Sequence, residues 1–594
     1  MIRNYLTVAL RNLRRYWGYT LINVVGLAIA LTRALQISAY VRHEFSYNTH
    51  LDPDNRVYRV MHKAPFNDRA PFWRAVTPAA IPRTLTDVAG VEMVFRSFAR
   101  QMWVSQGKTG RRTMACITDT GLVNNLSLPS VTGDAREILR RAGAAMLTVS
   151  FAEQLFGDED PIGKVVSIDY KWGLKGDWVV HGILEDPPET TDEKLAFGFI
   201  TISRPEGLNR EVWDNEASIY ATFWSWVTLK PGVRLDDLQG AIGRVLAQIY
   251  PLDFAEKSTL DFQPLSRIHL FTQVDYGIGK NSFATQGFGD IRDLTLFITA
   301  GVILILVAAT NFVNLTTAQG SSRRLEVGVR RTMGATRSQR SIQFLIEFLM
   351  VILCASVATL WISSQAGPAM SSLLEINLPT QTMGASLQDL MILTMILSLL
   401  CCGYPALRLS TYRSALSNRV GGSSRGRRSL VAVQFVVSAF LLMSAVGMSH
   451  QMTYVQGKDL GFDQELLLNL RLFKAAPSLE SRYLDIRSAF ERHPNVLSVS
   501  ASRQTIGGHN SVENAEVSRT DGQNVTVELD QIFVDDRFVQ TFGLDMIDGQ
   551  DFGRPTSEGL RCILNEKAAR LLGFYNDADA TSPVGRTLRR KGGI

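Results

Sequence analysis

Residues Ser321 to Arg340 read SSRRLEVGVRRTMGATRSQR. The stretch holds six arginines, one glutamate and two glycines, and it lies between two long apolar runs. Charge of one sign, packed between segments that avoid water, is the pattern of a short loop held on one side of a membrane.

Five apolar runs have membrane length: Leu21–Val41, Leu294–Val313, Phe344–Ile362, Leu390–Leu407 and Leu430–Met448. At ~1.5 Å per residue, each crosses a hydrocarbon core of about 30 Å. One such run could be a buried core helix; five of them argue against it. The first run is too long for a signal-peptide core and lacks a clean small-x-small cleavage site, which favours an uncleaved anchor. Short loops set the orientation. Residues 1–20 carry Arg3, Arg11, Arg14 and Arg15 without an acid, and 408–429 carries six arginines without one. The loop Ser364 to Leu387 has no Lys or Arg at all. The positive-inside rule therefore puts the N-terminus, the opening stretch and 408–429 in the cytoplasm. Two large regions, 42–293 and 449–594, fall outside. At the N-terminus, Ile2, Tyr5, Leu6, Ala9, Leu10, Leu13 and Trp17 recur at helical spacing with arginines on the other faces, which predicts an amphipathic helix on the inner leaflet.

The chain of 594 residues has room for several domains, and its formal charge of +6 is modest. The arginines gather beside the apolar runs rather than along a soluble face, so no nucleic-acid partner is expected. Five cysteines are scattered, three of them in apolar runs, without CxxC spacing, and read as small apolar residues.

The two outer regions repeat each other. At a constant offset of 416, Asp119 matches Asp535, Gly133 matches Gly549, Ala152 matches Ala568, Leu155 matches Leu571 and Gly157 matches Gly573. Six residues further out of step, PIGKVV answers PVGRTL. Five matches at one spacing argue for duplication. The first half then defines a unit of one span, an outer region and three spans. The second half supplies a span and the beginning of its outer region, the pattern of an eight-span plan cut short, or of a short form with a vestigial second half. Within the outer regions, alternating runs such as RVYRVMH, KVVSIDY and DWVVHGIL predict strands, and SFAEQLFG predicts a helix. A mixed α/β domain follows.

As a helix, the opening stretch puts Arg323, Arg330 and Arg337 on one stripe and Leu325, Val329 and Met333 on another. Gly334 weakens it just before the third run. Physics alone leaves two readings open: a helix that presents basic and apolar faces to a cytoplasmic partner, or arginines that simply hold the loop inside.

The longer piece Asn311 to Phe348, NFVNLTTAQGSSRRLEVGVRRTMGATRSQRSIQFLIEF, resembles the core of FtsX-like permeases, the family that includes MacB. NYLTVALRNLRRYWGYTLINVVGLAIAL, EFSYNTHLDPDNRVYRV, PLSRIHL, YPALRLS and YVQGKDLGF resemble further family segments, so the likeness spans nearly the whole chain. The resemblance implies an ABC-transporter permease of the duplicated, eight-span branch. Its fold would be a multi-pass α-helical membrane protein with mixed α/β, MacB-like periplasmic core domains. The implied plan is a surface helix (1–20), spans at 21–41, 294–313, 344–362, 390–407 and 430–448, and a coupling-helix loop at 317–341. A periplasmic domain fills 42–293, a basic linker 408–429, and a second, partial periplasmic domain 449–594. It further implies that Glu326, Val327, Gly328, Val329, Arg330, Arg331 and Gly334 dock on a separate cytoplasmic ATPase, which binds the ATP. No cofactor is then expected in this chain. ATP-driven closing of the membrane helices would move the outer domains, in the bacterial inner membrane, with a periplasmic adaptor or outer-membrane factor as a further partner. A scaffold that activates an envelope enzyme is the family's other role, and an inactive fragment is the third reading.

Catalytic motifs are absent from the sequence. No G-x-x-x-x-G-K-[ST] and no HExxH occurs, and the G-x-S-x-G string GSSRG, Gly422 to Gly426, sits in the basic linker without a strand before it. Intramembrane polar residues are the remaining candidates. Arg33 lies deep in the first run, where the family is usually apolar or small, and an arginine there is expected to face a bundle interior or water, or to snorkel. Glu347, near the start of the third run, is expected to join Asn311 and Asn314 in a polar cluster that packs helices.

Overall fold

The structure, a computed structural model, describes residues 2–66, 69–107, 109–170, 174–192, 194–202, 223–278, 289–319, 329, 332–334, 336–374, 383–410, 423–462, 466–470, 482–503, 511–518, 524–553, 561–575, 582–586 and 588–590. The chain divides into two compact units. Met1–Tyr47 and Gly289–Gly457 form one; Asn48–Phe288 and Lys458–Ile594 form the other.

The first unit is helical. Ile2–Arg15 is a helix, the backbone breaks at Tyr16 (φ −111°, ψ 42°), and a 29-residue helix runs from Trp17 to Phe45. Ile291–Gln319, Arg337–Leu374, Met383–Ser410 and Ser423–Gly457 follow. Among the described residues four helical stretches are long and apolar enough to cross a membrane: Trp17–Phe45, Ile291–Thr316, Ile342–Gln365 and Val431–Gly457. The expected fourth span lies in Met383–Ser410, whose described apolar stretch, Leu387–Cys401, is shorter.

Small residues and hydroxyls join these helices, as helix pairs in lipid require when no hydrophobic driving force separates them from the solvent. Leu27, Leu31, Phe312, Phe344, Phe348, Ile352 and Leu397 make one buried cluster. Phe312 and Phe348 meet edge to face at 5.5 Å. Thr359 Oγ1 donates across the helix pair to the Ala28 carbonyl at 3.2 Å, and Ser356 and Thr394 hydroxyls lie 2.9 Å apart. A side chain at Gly301 would come within 3.1 Å of Ile37, so glycine sets the spacing there.

The second unit contains the large sheet. Its strands are β1 (Val57–Phe66), β2 (Arg69–Arg74), β3 (Val91–Gln106), β4 (Thr109–Thr118), β5 (Ser130–Thr132), β6 (Ala144–Thr148), β7 (Val165–Tyr170), β8 (Leu174–Leu184), β9 (Phe199–Thr201), β10 (Trp224–Leu229) and β11 (Thr259–Pro264). The order is β11-β1-β10-β3-β4-β9-β6-β8-β5, with β2 on β1 and β7 on both β3 and β8. Most pairs are antiparallel; β4 with β9 and β6 with β8 are parallel. β6, AAMLT, is buried on both faces, so its run is apolar throughout instead of alternating. The helix Val149–Phe156 covers one side through Phe151, Ala152 and Leu155, and Gly157 ends it in a positive-φ turn (63°) that glycine adopts without strain.

A smaller sheet follows later in the chain, from β12 (Ser511–Ser518), β13 (Asn524–Gln531) and β14 (Leu588–Arg590), in the order β13-β12-β14. Its registers repeat those of the first. Val104 faces Arg111 and Ile168; Ala515 faces Val527 and Arg590. Ser105 faces Gly110 and Ser167; Glu516 faces Thr526 and Arg589. The sequence offsets predicted from the motifs, 416 and six more, carry Arg111 to Val527 and Ile168 to Arg590. Register is a stringent test, because a one-residue slip would turn every side chain to the opposite face. The turns agree too: Lys164 N–H bonds the Pro161 carbonyl at 3.2 Å and Arg586 N–H the Pro583 carbonyl at 3.1 Å, over Gly163 (φ 79°) and Gly585 (φ 76°).

Candidate functional site: the arginine loop and the polar residues of the membrane helices

Of the loop residues singled out by the sequence, Glu326, Val327, Gly328, Arg330 and Arg331 lie outside the described residues. Val329 is helical and exposed, and the Met333 N–H bonds its carbonyl at 3.0 Å, closing one turn. Val329 and Met333 are therefore stacked i, i+4 with Met333 85% exposed, a short apolar stripe facing outward. Gly334 follows at φ 87°, a conformation that ends a helix. Two residues on, Thr336 and Gln339 bond each other's backbone N–H, at 3.0 and 3.3 Å. This reciprocal capping box starts the next helix, Arg337–Leu374, afresh. Gly334 thus separates the loop's own turn from the membrane helix that starts at Arg337.

Glu347 is buried nearly three turns into that helix. Its Oε1 accepts from Asn12 Nδ2 at 2.9 Å and from Gln343 Nε2 at 3.3 Å. Asn12 belongs to the N-terminal helix, which sequence reasoning set on the inner leaflet. Asn311 is half-buried beside Gly26, whose Cβ would sit 4.0 Å from the asparagine Nδ2; Asn314 is half-buried on the same helix. Arg33 does not face the interior of this unit. It is exposed on a stripe with Ile22, Val25 and Ile29 and bonds Gln36 of its own helix at 3.0 Å.

Sequence reasoning missed a second polar contact. Arg42 pairs with Asp389, and Ser38 donates to the same carboxylate at 3.1 Å. Asp389 is nearly fully buried and Arg42 about half exposed. The two residues flank their apolar runs, one just after Val41 and the other just before Leu390, where a charge can leave the hydrocarbon. That position was the available signal.

Beyond the Trp17–Phe45 helix the chain is anchored at once. Asn48, the first residue of the second unit, sits at φ 61° and is buried. Its N–H bonds the Thr190 carbonyl at 2.8 Å, its Nδ2 donates to Asp192 at 2.5 Å, and its Oδ1 accepts from the Asp192 N–H at 3.0 Å. Deeper in, Arg59 is buried in the sheet and donates to Gln263 (2.5 Å) and Thr272 (2.9 Å). Burial lowers its pKa to about 10. His62, in the same strand, is fully buried, stacked on Tyr250 at 5.9 Å, and held neutral by burial and by the charge of Arg74. Among the described residues no group of His, Cys, Asp and Glu is arranged to hold a metal ion.

Residues 20–245 match the family model of the MacB-like periplasmic core domain, and residues 298–413 that of the FtsX-like permease C-terminal. Between them the two models account for more than half of the chain. The chain is an FtsX-like permease with a MacB-like periplasmic core domain, a multi-pass protein of the ABC-transporter permease family. Among solved structures it is similar to a domain of a putative permease from Porphyromonas gingivalis (14% identity, 37% of this chain and 92% of that one, TM-score 0.30). It is similar too to the extracellular domain of the ABC-type transporter YknZ from Gram-positive bacteria (16%, 32% and 92%, 0.23) and to the periplasmic region of MacB from Actinobacillus actinomycetemcomitans (12%, 41% and 100%, 0.25). No curated protein matches the sequence.

Proposed function

We propose that the chain is the membrane subunit of an ABC transporter of the FtsX and MacB type, driven by ATP hydrolysis in a separate cytoplasmic ATPase. The observation that carries the reading is the pair of domains in one chain: a permease core with an arginine-rich loop between two membrane helices, and an outer core domain inserted after the first helix. The N-terminus and the loop face the cytoplasm of a bacterial inner membrane, with the outer domains in the periplasm. Val329 and Met333 supply an outward apolar contact, and Arg330 and Arg331 supply charge for the ATPase surface. The hinge at Gly334 lets this turn rock without unwinding the helix that begins at Arg337. Movement of the Trp17–Phe45 helix reaches the outer domain through only two residues before Asn48 is clamped. The work is transmission of force to the outer domains for export or efflux across the envelope; neither ATP nor another cofactor binds to this chain.

Charge reversal of the loop, Arg330→Glu with Arg331→Glu, tests the reading. Membrane insertion is expected to be unchanged while stimulation of the partner ATPase is lost. Stimulation equal to that of the unaltered chain would refute the coupling role.

A further inference from the structure

The N-terminal helix Ile2–Arg15 is fixed in rotation by what it packs on. Ala9 is fully buried, Leu13 packs against the apolar cluster of the membrane helices, and Asn12 is hydrogen-bonded to Glu347. From Ala9, at about 100° per residue, Leu6 and Leu10 lie ~60° and ~100° around the helix, and Arg3 and Arg14 lie ~120° and ~140° around it. Arg11 is nearly opposite Ala9. Leu6 and Leu10 are 42% and 50% exposed, and all four arginines of the segment are exposed. Beyond the break at Tyr16, Trp17 is 69% exposed. The helix therefore presents three sectors in succession: a packed side, an open apolar side, and a basic side with no acid anywhere in residues 1–20.

We propose that this helix is a binding surface for anionic phospholipid. Charge complementarity selects the occupant: Leu6, Leu10 and Trp17 enter the acyl boundary, and Arg3 and Arg14, at the rim of the apolar sector, take the phosphates of negatively charged headgroups. A neutral bilayer satisfies the apolar sector but leaves four arginines without counter-charge. The bond from Asn12 to Glu347 then links the lipid-bound helix to the membrane helix that begins just after the arginine loop.

The test is hydrogen exchange of the full-length chain in bilayer discs of phosphatidylcholine alone, or of an equal mixture with phosphatidylglycerol. Amides of residues 3–15 are expected to exchange more slowly in the mixture. The expected ratio is about fivefold for each arginine at the surface, the equivalent of ~1 kcal/mol per basic residue near an anionic membrane. Raising the salt concentration should erase the difference in the unaltered protein, and Arg3→Gln with Arg14→Gln should erase it at low salt. Asn12→Ala should leave lipid-dependent protection of residues 3–11 in place. Equal exchange in the two bilayers overturns the proposal. So does protection by inorganic phosphate in neutral discs, which indicates a free-anion site, and so does protection that depends on two chains per disc, which indicates a second copy on this face.

Discussion

Asp119 and Asp535 hold the same position in two copies of one strand arrangement. Each closes a turn by accepting a backbone hydrogen bond from the residue two places on, Gly121 at 3.2 Å and Arg537 at 3.2 Å. Each follows a paired strand position, Thr118 facing Ser97 in the first copy and Val534 facing Ser502 in the second. Asp119 adds a bond from the Arg96 N–H at 3.0 Å; Asp535 adds one from the Ser500 hydroxyl at 2.5 Å. Burial raises the Asp119 pKa, opposed by its bonds and charge contact with Arg96. Replacement of Asp119 by alanine removes a helix cap, and replacement of Asp535 removes the turn bond to the Arg537 N–H; each leaves backbone N–H unpaired, at a cost of about 1–2 kcal/mol. Thermal unfolding of the detergent-solubilised chain checks this, and Asp119→Asn should recover part of the loss.

His62 makes stability depend on pH. Its pKa is lowered from 6.5 to about 3, chiefly by burial and then by Arg74, so the folded chain keeps it neutral. Between those values the unfolded chain binds a proton that the folded chain excludes. The contribution is whole above pH 6.5 and is lost as pH falls toward 3; at pH 5 the loss is about 2 kcal/mol. His62→Phe should remove this slope. It should also stabilise the domain at neutral pH by about 1–2 kcal/mol, since both ring nitrogens lack a hydrogen-bond partner among the described residues. Seven of the nine tryptophans lie in residues 48–288, so intrinsic fluorescence reports this region.

The Arg42–Asp389 pair ties the first membrane helix to the Met383–Ser410 helix. Arg42→Ala is expected to cost more than Asp389→Ala, because it leaves the buried Asp389 carboxylate with only the Ser38 hydroxyl, whereas Arg42, half exposed, can be hydrated when left alone. A double-mutant cycle measured by thermal stability in detergent should return a coupling of about 1–3 kcal/mol. A coupling near zero would remove the pair from the forces holding this unit.

Gly110 is a packing requirement. A Cβ there would lie 2.3–2.6 Å from the Trp103 indole, across the β3–β4 pair. Gly110→Ala should therefore destabilise the sheet by about 1–3 kcal/mol, with a change in tryptophan fluorescence. Trp103→Leu in the same chain should relieve part of the cost.

Much of the fold could be read in the sequence because it depends on local chemistry. RVYRVMH, KVVSIDY and DWVVHGIL lie in β1, β7 and β8, and SFAEQLFG is the helix capped at Gly157. The apolar runs mark the membrane helices because bilayer thickness imposes their length. Sheet order was not legible: β9 lies between β4, to which it is parallel, and β6, to which it is antiparallel, through contacts that no alternation encodes. Side-chain partners were hidden for the same reason. Asn12, 335 residues before Glu347, reaches it by way of the break at Tyr16, a partner that counting along the apolar runs does not find. Arg33 shows the limit of depth as a guide, since depth fixes the cost of a charge and the rotation of the helix decides which way it points.

The repeated hairpin carries a practical lesson. From Gln106 to Thr109 two residues make the turn; between the corresponding Val517 and Val525 there are seven. Strand pairing on both sides of the longer connection is nevertheless unchanged, so the extra length was accommodated without cost to the alignment of the strands. The chain has in effect already run its own insertion experiment, and the tip at Gly107 is the place where a short epitope or fluorophore tag can be spliced into the first copy with its sheet intact.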